Sequence, residues 1–243
     1  MKVALCFWGI CRSTDLVIKS IESCVFNALK KHGIKFDVYL HTYTLYRPYT
    51  NPRAKEENIQ LKNSLWKLLK PKEYILENQD VIDQSLKLSN YKTMGNPWTD
   101  DKNTFITLEN HVRALWSLKQ VTSLWMKKES EYDAVLYLRP DVRYYIPFQR
   151  EWLDDLKPYI LRCPDFHLTN SCNDRFALGL PSVAKLFGNR YDEALEYAQT
   201  YRFHSEEYLA YILQKNKIIP EHIPFRFRRI RANGEVCDAD QNI

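Results

Sequence analysis

Apolar residues fall in two rhythms along this chain. Residues 3–8 form an unbroken apolar run closed by Gly9, the pattern of a strand buried on both faces and followed by a turn. Ser13, Thr14 and Asp15 offer a cap, and Leu16, Val17, Ile21, Cys24, Val25, Ala28 and Leu29 then recur at helical spacing. This predicts a helix over residues 16–32 with Gly33 as its stop. Residues 36–42 read as a second strand, and strand–helix–strand order implies parallel pairing through a right-handed crossover. Between residues 43 and 104 the signal weakens under Pro48, Pro52, Pro71 and Pro97. Short helical pieces are expected at 59–69 and 81–86, a strand at 74–76, and a mobile or ligand-covering loop at 90–103. Helical spacing returns strongly over 107–127; strands are expected at 133–138 and 175–178, and helices at 182–201 and 205–215. No repeat, low-complexity tract or linker divides the sequence. The expectation is a single α/β domain over residues 1–243, its mostly parallel central sheet flanked by helices.

Composition narrows the classes. With 243 residues, 45% of them hydrophobic and 14% aromatic, the chain can bury a substantial core and is not a disordered one. No apolar run reaches the ~20 residues of a membrane span. The first residues do not read as a signal peptide, because Arg12 closely follows a short apolar stretch with no small-residue cleavage site. Cys6, Cys11, Cys24, Cys163, Cys172 and Cys237 show neither CxxC pairing nor the close ligand spacing of a zinc site, so they are expected as reduced thiols of a cytoplasmic protein. Six glycines make no GxGxxG and no GxxxxGK[ST], which removes the usual motifs for a dinucleotide fold or a P-loop. No glycine-rich loop follows the first strand either, which disfavours a methyltransferase.

The formal charge of +5 is spread along the chain, without the stripe typical of nucleic-acid binding. The densest basic cluster, residues 226–231, carries four arginines. It suits a grip on one diphosphate or a solvated strand edge. Open α/β sheets bind ligands beyond the carboxyl ends of their strands. Here those ends carry Gly9 and Arg12, His41 and Thr42, and Arg139 with Asp141. A glycine that admits a ligand to the backbone, two cations and a carboxylate together suit a nucleotide diphosphate.

Residues 132–142 (Tyr-Asp-Ala-Val-Leu-Tyr-Leu-Arg-Pro-Asp-Val) resemble the strand and Asp-x-Asp corner of GT-A-type glycosyltransferases. In that family the corner holds a divalent metal against the diphosphate of a sugar nucleotide. Residues 173–179, ending in Gly179, are similar to the strand that lines the donor-sugar pocket; residues 204–209, with Glu206 and Glu207, are similar to the acidic helix start that reaches donor or acceptor. Residues 8–13 and 36–42 resemble the base- and ribose-binding strands of small members. The resemblance implies a GT-A-like domain that moves a sugar from a nucleotide sugar to a hydroxyl of a glycan acceptor. It implies Gly9, Arg12, His41, Thr42, Arg139, Asp141, Gly179 and Arg228 as donor-binding residues, and Asp174, Glu206 or Glu207 as the carboxylate that deprotonates the acceptor.

The chain departs from the pattern at one place. Arg139 stands where the first aspartate belongs, so only Asp141 remains to ligate Mn²⁺ or Mg²⁺, and hard cations want several oxygens. Arg139 is then a candidate to neutralise the diphosphate itself, or to form a structural ion pair with Asp141. The broken motif also keeps open a non-catalytic nucleotide- or glycan-binding module.

Overall fold

An apolar run with no polar position is best satisfied in the middle of a sheet, and the computed structural model puts residues 3–8 there. It describes residues 1–98 and 104–243. The strands are β1 (Lys2–Trp8), β2 (Lys35–Thr44), β3 (Tyr49–Asn51), β4 (Glu56–Ile59), β5 (Glu73–Asn78), β6 (Ala134–Leu138), β7 (Val142–Tyr144), β8 (Ile160–Pro164), β9 (Ala177–Gly179), β10 (Ile219–Ile223) and β11 (Phe227–Arg229). The helices are α1 (Thr14–Ile21), α2 (Asn27–Lys31), α3 (Gln79–Leu86), α4 (Ile106–Met126), α5 (Pro181–Gly188), α6 (Tyr191–Thr200) and α7 (Ser205–Lys215).

Seven strands make one sheet in the order β10-β8-β9-β6-β1-β2-β5, with β9 alone running antiparallel to its neighbours. Alternation explains the burial of β1. Ala4, Cys6 and Trp8 join the core beneath α4 to α7, while Val3, Leu5 and Phe7 join the core beneath α1 and α2. Each such side chain contributes ~1.5–3 kcal/mol by leaving water. From β1 the chain builds outward to β2 and β5, then returns to lay β6 on the other side of β1. The order reverses between β1 and β6, and a crevice opens there beyond their carboxyl ends. Two short ribbons flank it: β3 with β4, and β7 with β11.

The expected elements at 16–32, 36–42, 74–76, 81–86, 107–127, 133–138 and 205–215 are present to within a few residues. The first helix is interrupted by a wider π turn, Glu22–Phe26, and Gly33 stops it with φ +68°. The strand expected at 175–178 is β9, shifted to Ala177–Gly179. Two expectations fail. Of 59–69 only Leu65–Leu69 turns, as a 3₁₀ piece, because Glu56–Ile59 is drawn into β4 by the burial of Glu56 against Arg12. The helix expected at 182–201 breaks at Asn189 and Arg190 into α5 and α6; Arg190 turns inward onto Phe187 and is buried. The expected loop at 90–103 begins inside a 3₁₀ turn, Leu88–Tyr91, and contains the buried Trp98; its residues 99–103 lie outside the described ones. No helix among the described residues is long and apolar enough to cross a membrane, and all six cysteines are buried free thiols.

Gly188 ends α5 under α4 and β6, where a Cβ would collide with the Thr122 hydroxyl and the Tyr137 ring oxygen. Those two groups are hydrogen-bonded to each other at 2.6 Å and buried, so neither yields freely. Gly188→Ala is expected to cost ~1–3 kcal/mol by overpacking. A melting temperature within 1 °C of wild type, roughly a few tenths of a kcal/mol in a chain of this size, would contradict this.

Candidate functional site

The crevice at the strand-order reversal is a cleft of about 630 Å³. Its floor is the end of β1 and β6; its sides are the β3–β4 ribbon, the N-terminal ends of α4 and α7, the segment before β9, and residues 229–239. The turn after β1 is built first. Gly9 has φ +93°, a conformation side-chain-bearing residues avoid, and its N–H donates to Ser117 Oγ at 2.8 Å. Ser117 Oγ is also 2.7 Å from His41 Nδ1, and His41 Nε2 is 2.9 Å from Glu77. Thr42 Oγ1 accepts from Cys11 N–H at 3.2 Å. The loop then runs to Ser13, whose hydroxyl donates to the Ile230 carbonyl, and Thr14, whose hydroxyl donates to that of Pro140. These bonds clamp the ends of β1 and β6 to the C-terminal ribbon.

Inside the clamp sits Asp141, 1% exposed. Arg139 donates to both its oxygens at 2.8 Å, and Arg12 donates to Oδ2 at 2.7 and 3.0 Å. Arg12 reaches on to Glu56 at 3.0 Å and Tyr49 at 2.9 Å. Glu56 is fully buried and accepts the Ala232 N–H. Burial alone would raise Asp141, but Arg139 and Arg12 outweigh it and hold the carboxyl well below the usual range. Arg12 is held well above its ordinary value: burial opposes its charge, and Tyr49, Asp141 and Glu56 overcome that. A divalent ion would have to displace both guanidinium groups from Asp141. Among the described residues no cluster of three or more His, Cys, Asp or Glu could hold one. The donor set does not fit Mn²⁺ or Mg²⁺.

Four further groups complete the cleft. Arg229 is neutralised by Asp240 in a two-pronged pair at 2.7 and 2.8 Å. Arg231 makes one side-chain bond, Nη2 to the Cys237 sulfur at 2.8 Å, and its Nε is buried without a partner. Arg175 lies 3.8 Å from Glu206, with Nη1 buried and unbonded. The Arg139 guanidinium lies over the Trp8 ring, 5.3 Å from its centroid, and Trp8 Nε1 is buried with no partner among the described residues. Burial disfavours the charge on Arg175 and Arg231, Arg229 repels the first, and Arg12 and Arg229 repel the second; the two are pushed below their ordinary values.

The opposite side holds Asp174 and Glu206. Burial and the Asp174 charge raise Glu206, while Ser205 Oγ donates to it. Burial opposes ionisation of Asp174 too, but Arg175, His111 and Arg190 overcome it and hold Asp174 low. Glu206 is thus the weaker acid of the two. Trp98, His111 and His204 wall this side, with ring centroids 5.2 Å apart for Trp98–His204 and 6.1 Å for Trp98–His111. Burial drives His111 down to about 3, so its ring is neutral at neutral pH.

Of the expected residues, Gly9, Arg12, Arg139, Asp141, Asp174 and Glu206 line the cleft. His41 and Thr42 lie beneath it and brace the Gly9 turn. Gly179 sits inside β9 opposite Val135, packed on Val183. Arg228 turns away to the Ile243 carbonyl and the Tyr145 ring. Glu207 is half-buried outside the lining. Of the basic cluster at 226–231, Arg229 and Arg231 line the cleft; they share one strand parity and Arg228 has the other. Arg175, Trp98 and His111 also line it and carry no individual signal in the sequence.

No protein-family model and no curated protein matches this chain.

Proposed function

We propose that the chain is a glycosyltransferase that moves a sugar from a nucleotide-sugar donor to a hydroxyl of a glycan acceptor. The observation that carries this reading is one cleft lined by Arg139, Arg175, Arg229 and Arg231 that also holds two carboxyls, Asp174 and Glu206. Glycosyl transfer needs both. The acceptor oxygen attacks the anomeric carbon, the bond to the diphosphate breaks, and the leaving group takes the electron pair. Its charge is stabilised by fixed cations, of which Arg139 stands at the strand end. The acceptor proton goes to a carboxylate, and Glu206, whose basicity burial and the Asp174 charge raise, is the group we assign to it. Trp98 offers an apolar face of the kind on which sugar rings rest.

The test is direct. Purified protein is screened by thermal shift against UDP, GDP, CDP and their sugars; a ligand at 100 times its Kd should stabilise the fold by ~2.7 kcal/mol. The stabilising sugar nucleotide is then followed for hydrolysis and transfer. Binding with neither would leave a nucleotide-binding module. No shift with any nucleotide would refute the reading.

A further inference from the structure

We propose that a second groove, at the end of the sheet away from the cleft, binds a fatty acid. Its acyl chain lies against Phe26 and Phe36, and its carboxylate is held among Lys30, Lys35 and Lys70. The inference stands apart from the glycosyltransferase reading, since groove and cleft share no lining residue.

The groove follows from how three short pieces of chain end. The π turn Glu22–Phe26 widens the first helix and sets Glu22 and Phe26 on the same side as Lys30 of α2. Gly33, at φ +68°, then turns the chain into β2, where Phe36 and Val38 share one face. On the other wall the 3₁₀ turn Leu65–Leu69 stops at Lys70, φ +49°, just before Pro71. The amino-terminal half of β2 is left as the floor between these walls. The space above it measures about 850 Å³. That is within the ~300–1,000 Å³ of small-molecule pockets. Ile34, Val38 and Leu69 are buried and close the bottom. Phe26 and Phe36 stack with centroids 5.5 Å apart yet stay half-buried, so ring surface remains for a ligand. Leu68, 37% exposed, extends the apolar lining to the rim.

Charge selects the occupant. Lys30 stands on α2, Lys35 opens β2 and Lys70 follows the 3₁₀ turn, so each bounding element brings one cation. All three are exposed, and none has an ion-pair partner among the described residues. Lys30 Nζ rests over the Phe36 ring, 6.0 Å from its centroid. Glu22 is the one carboxylate of the lining. An apolar trough with uncompensated cations complements a ligand that is apolar along its length and anionic at one end. A second copy of this chain is a poor occupant, because a two-fold contact sets lysines against lysines. A bilayer is a poor one too: the phenyl rings are recessed between walls, whereas membrane anchors present their apolar face outward.

Laurate, kept below its micelle concentration, is titrated by calorimetry into the intact chain. Saturable binding is expected, with the shorter octanoate roughly 10–100-fold weaker because fewer methylenes leave water. The triple variant Lys30→Gln, Lys35→Gln, Lys70→Gln changes only exposed side chains and should keep the wild-type melting temperature. It should bind laurate roughly 3–100-fold more weakly. Added salt should weaken wild type and largely spare the variant. Leu68→Glu, which sets a carboxylate on the rim, should also weaken laurate, while Lys185→Gln on α5 leaves it unchanged. Non-saturable uptake, or wild-type affinity in both groove variants, overturns the proposal. Binding to phosphatidylglycerol vesicles without binding of monomeric laurate also overturns it, and so does a dimer that Leu68→Glu dissolves. Laurate bound with no sugar transfer sustains this site and removes the glycosyltransferase; sugar transfer with no laurate bound does the reverse.

Discussion

Asp141→Asn is expected to destabilise the protein by ~3–5 kcal/mol, the usual cost of removing one partner from a buried ion pair. In a chain of this size that is a fall of roughly 6–20 °C in melting temperature. The amide keeps the volume but not the charge, so Arg12 is left with Glu56 alone and Arg139 with no carboxylate. The effect has a pH signature. Asp141 is held below its ordinary 3.8 in the folded state, so its contribution is present above that value and is lost as pH falls through and beneath it. The gap between wild type and Asp141→Asn should be constant near neutrality and shrink below about pH 5, where the unfolded carboxyl begins to take its proton. Denaturant melts of both proteins from pH 7 to pH 3 measure it. Equal stability at pH 7 would show that the clamp does not hold the strand ends together.

The second large effect is on turnover. Glu206→Gln should lower the transfer rate roughly 10²–10⁴-fold with donor affinity near wild type, because a base acts in the transition state and not in binding. Asp174→Asn should act differently. Its charge is the second cause, after burial, of the raised Glu206, so without it Glu206 ionises more easily. The acid limb of the rate profile should move to lower pH, with a smaller loss at the optimum. Glu207→Gln, outside the cleft lining, should be near normal. If Asp174→Asn carries the large loss instead, the base is Asp174. Near-normal turnover in both would take the base away from this pair.

The sheet core was largely legible because its strands are buried on both faces. Residues 3–8 and 134–138 have no polar position to obscure them, and Gly9, Arg139 and Asp141 follow at once, so the strand ends could be placed. What escaped was short or paired at a distance. β3 and β7 are three residues long, and β10 carries a proline, a glutamate and a histidine, so none shows a period. Glu56 reads as a surface residue in a polar stretch; Arg12, 44 positions away, and the Ala232 N–H, 176 positions away, explain its burial. His41 illustrates the converse. Its place at a strand end suggested contact with ligand, yet the imidazole bonds Ser117 of α4, on the same face of the sheet as its register partner Trp8, a contact that the local sequence does not contain.

The clamp that closes the cleft has a kinetic consequence. Ser13 bonds the carbonyl of Ile230, a span of 217 positions, and the cleft lining runs from Trp8 to Ala239. Contacts of such separation form late, since the closure of a long loop must precede them. A chain that leaves the ribosome from its N-terminus can lay β1 against β2 early, but Arg12 reaches Glu56 long before Asp141 or Ile230 exists for it. The sheet can therefore assemble while its crevice is still open on one side, and the cleft is complete only when the last strand ribbon is in place.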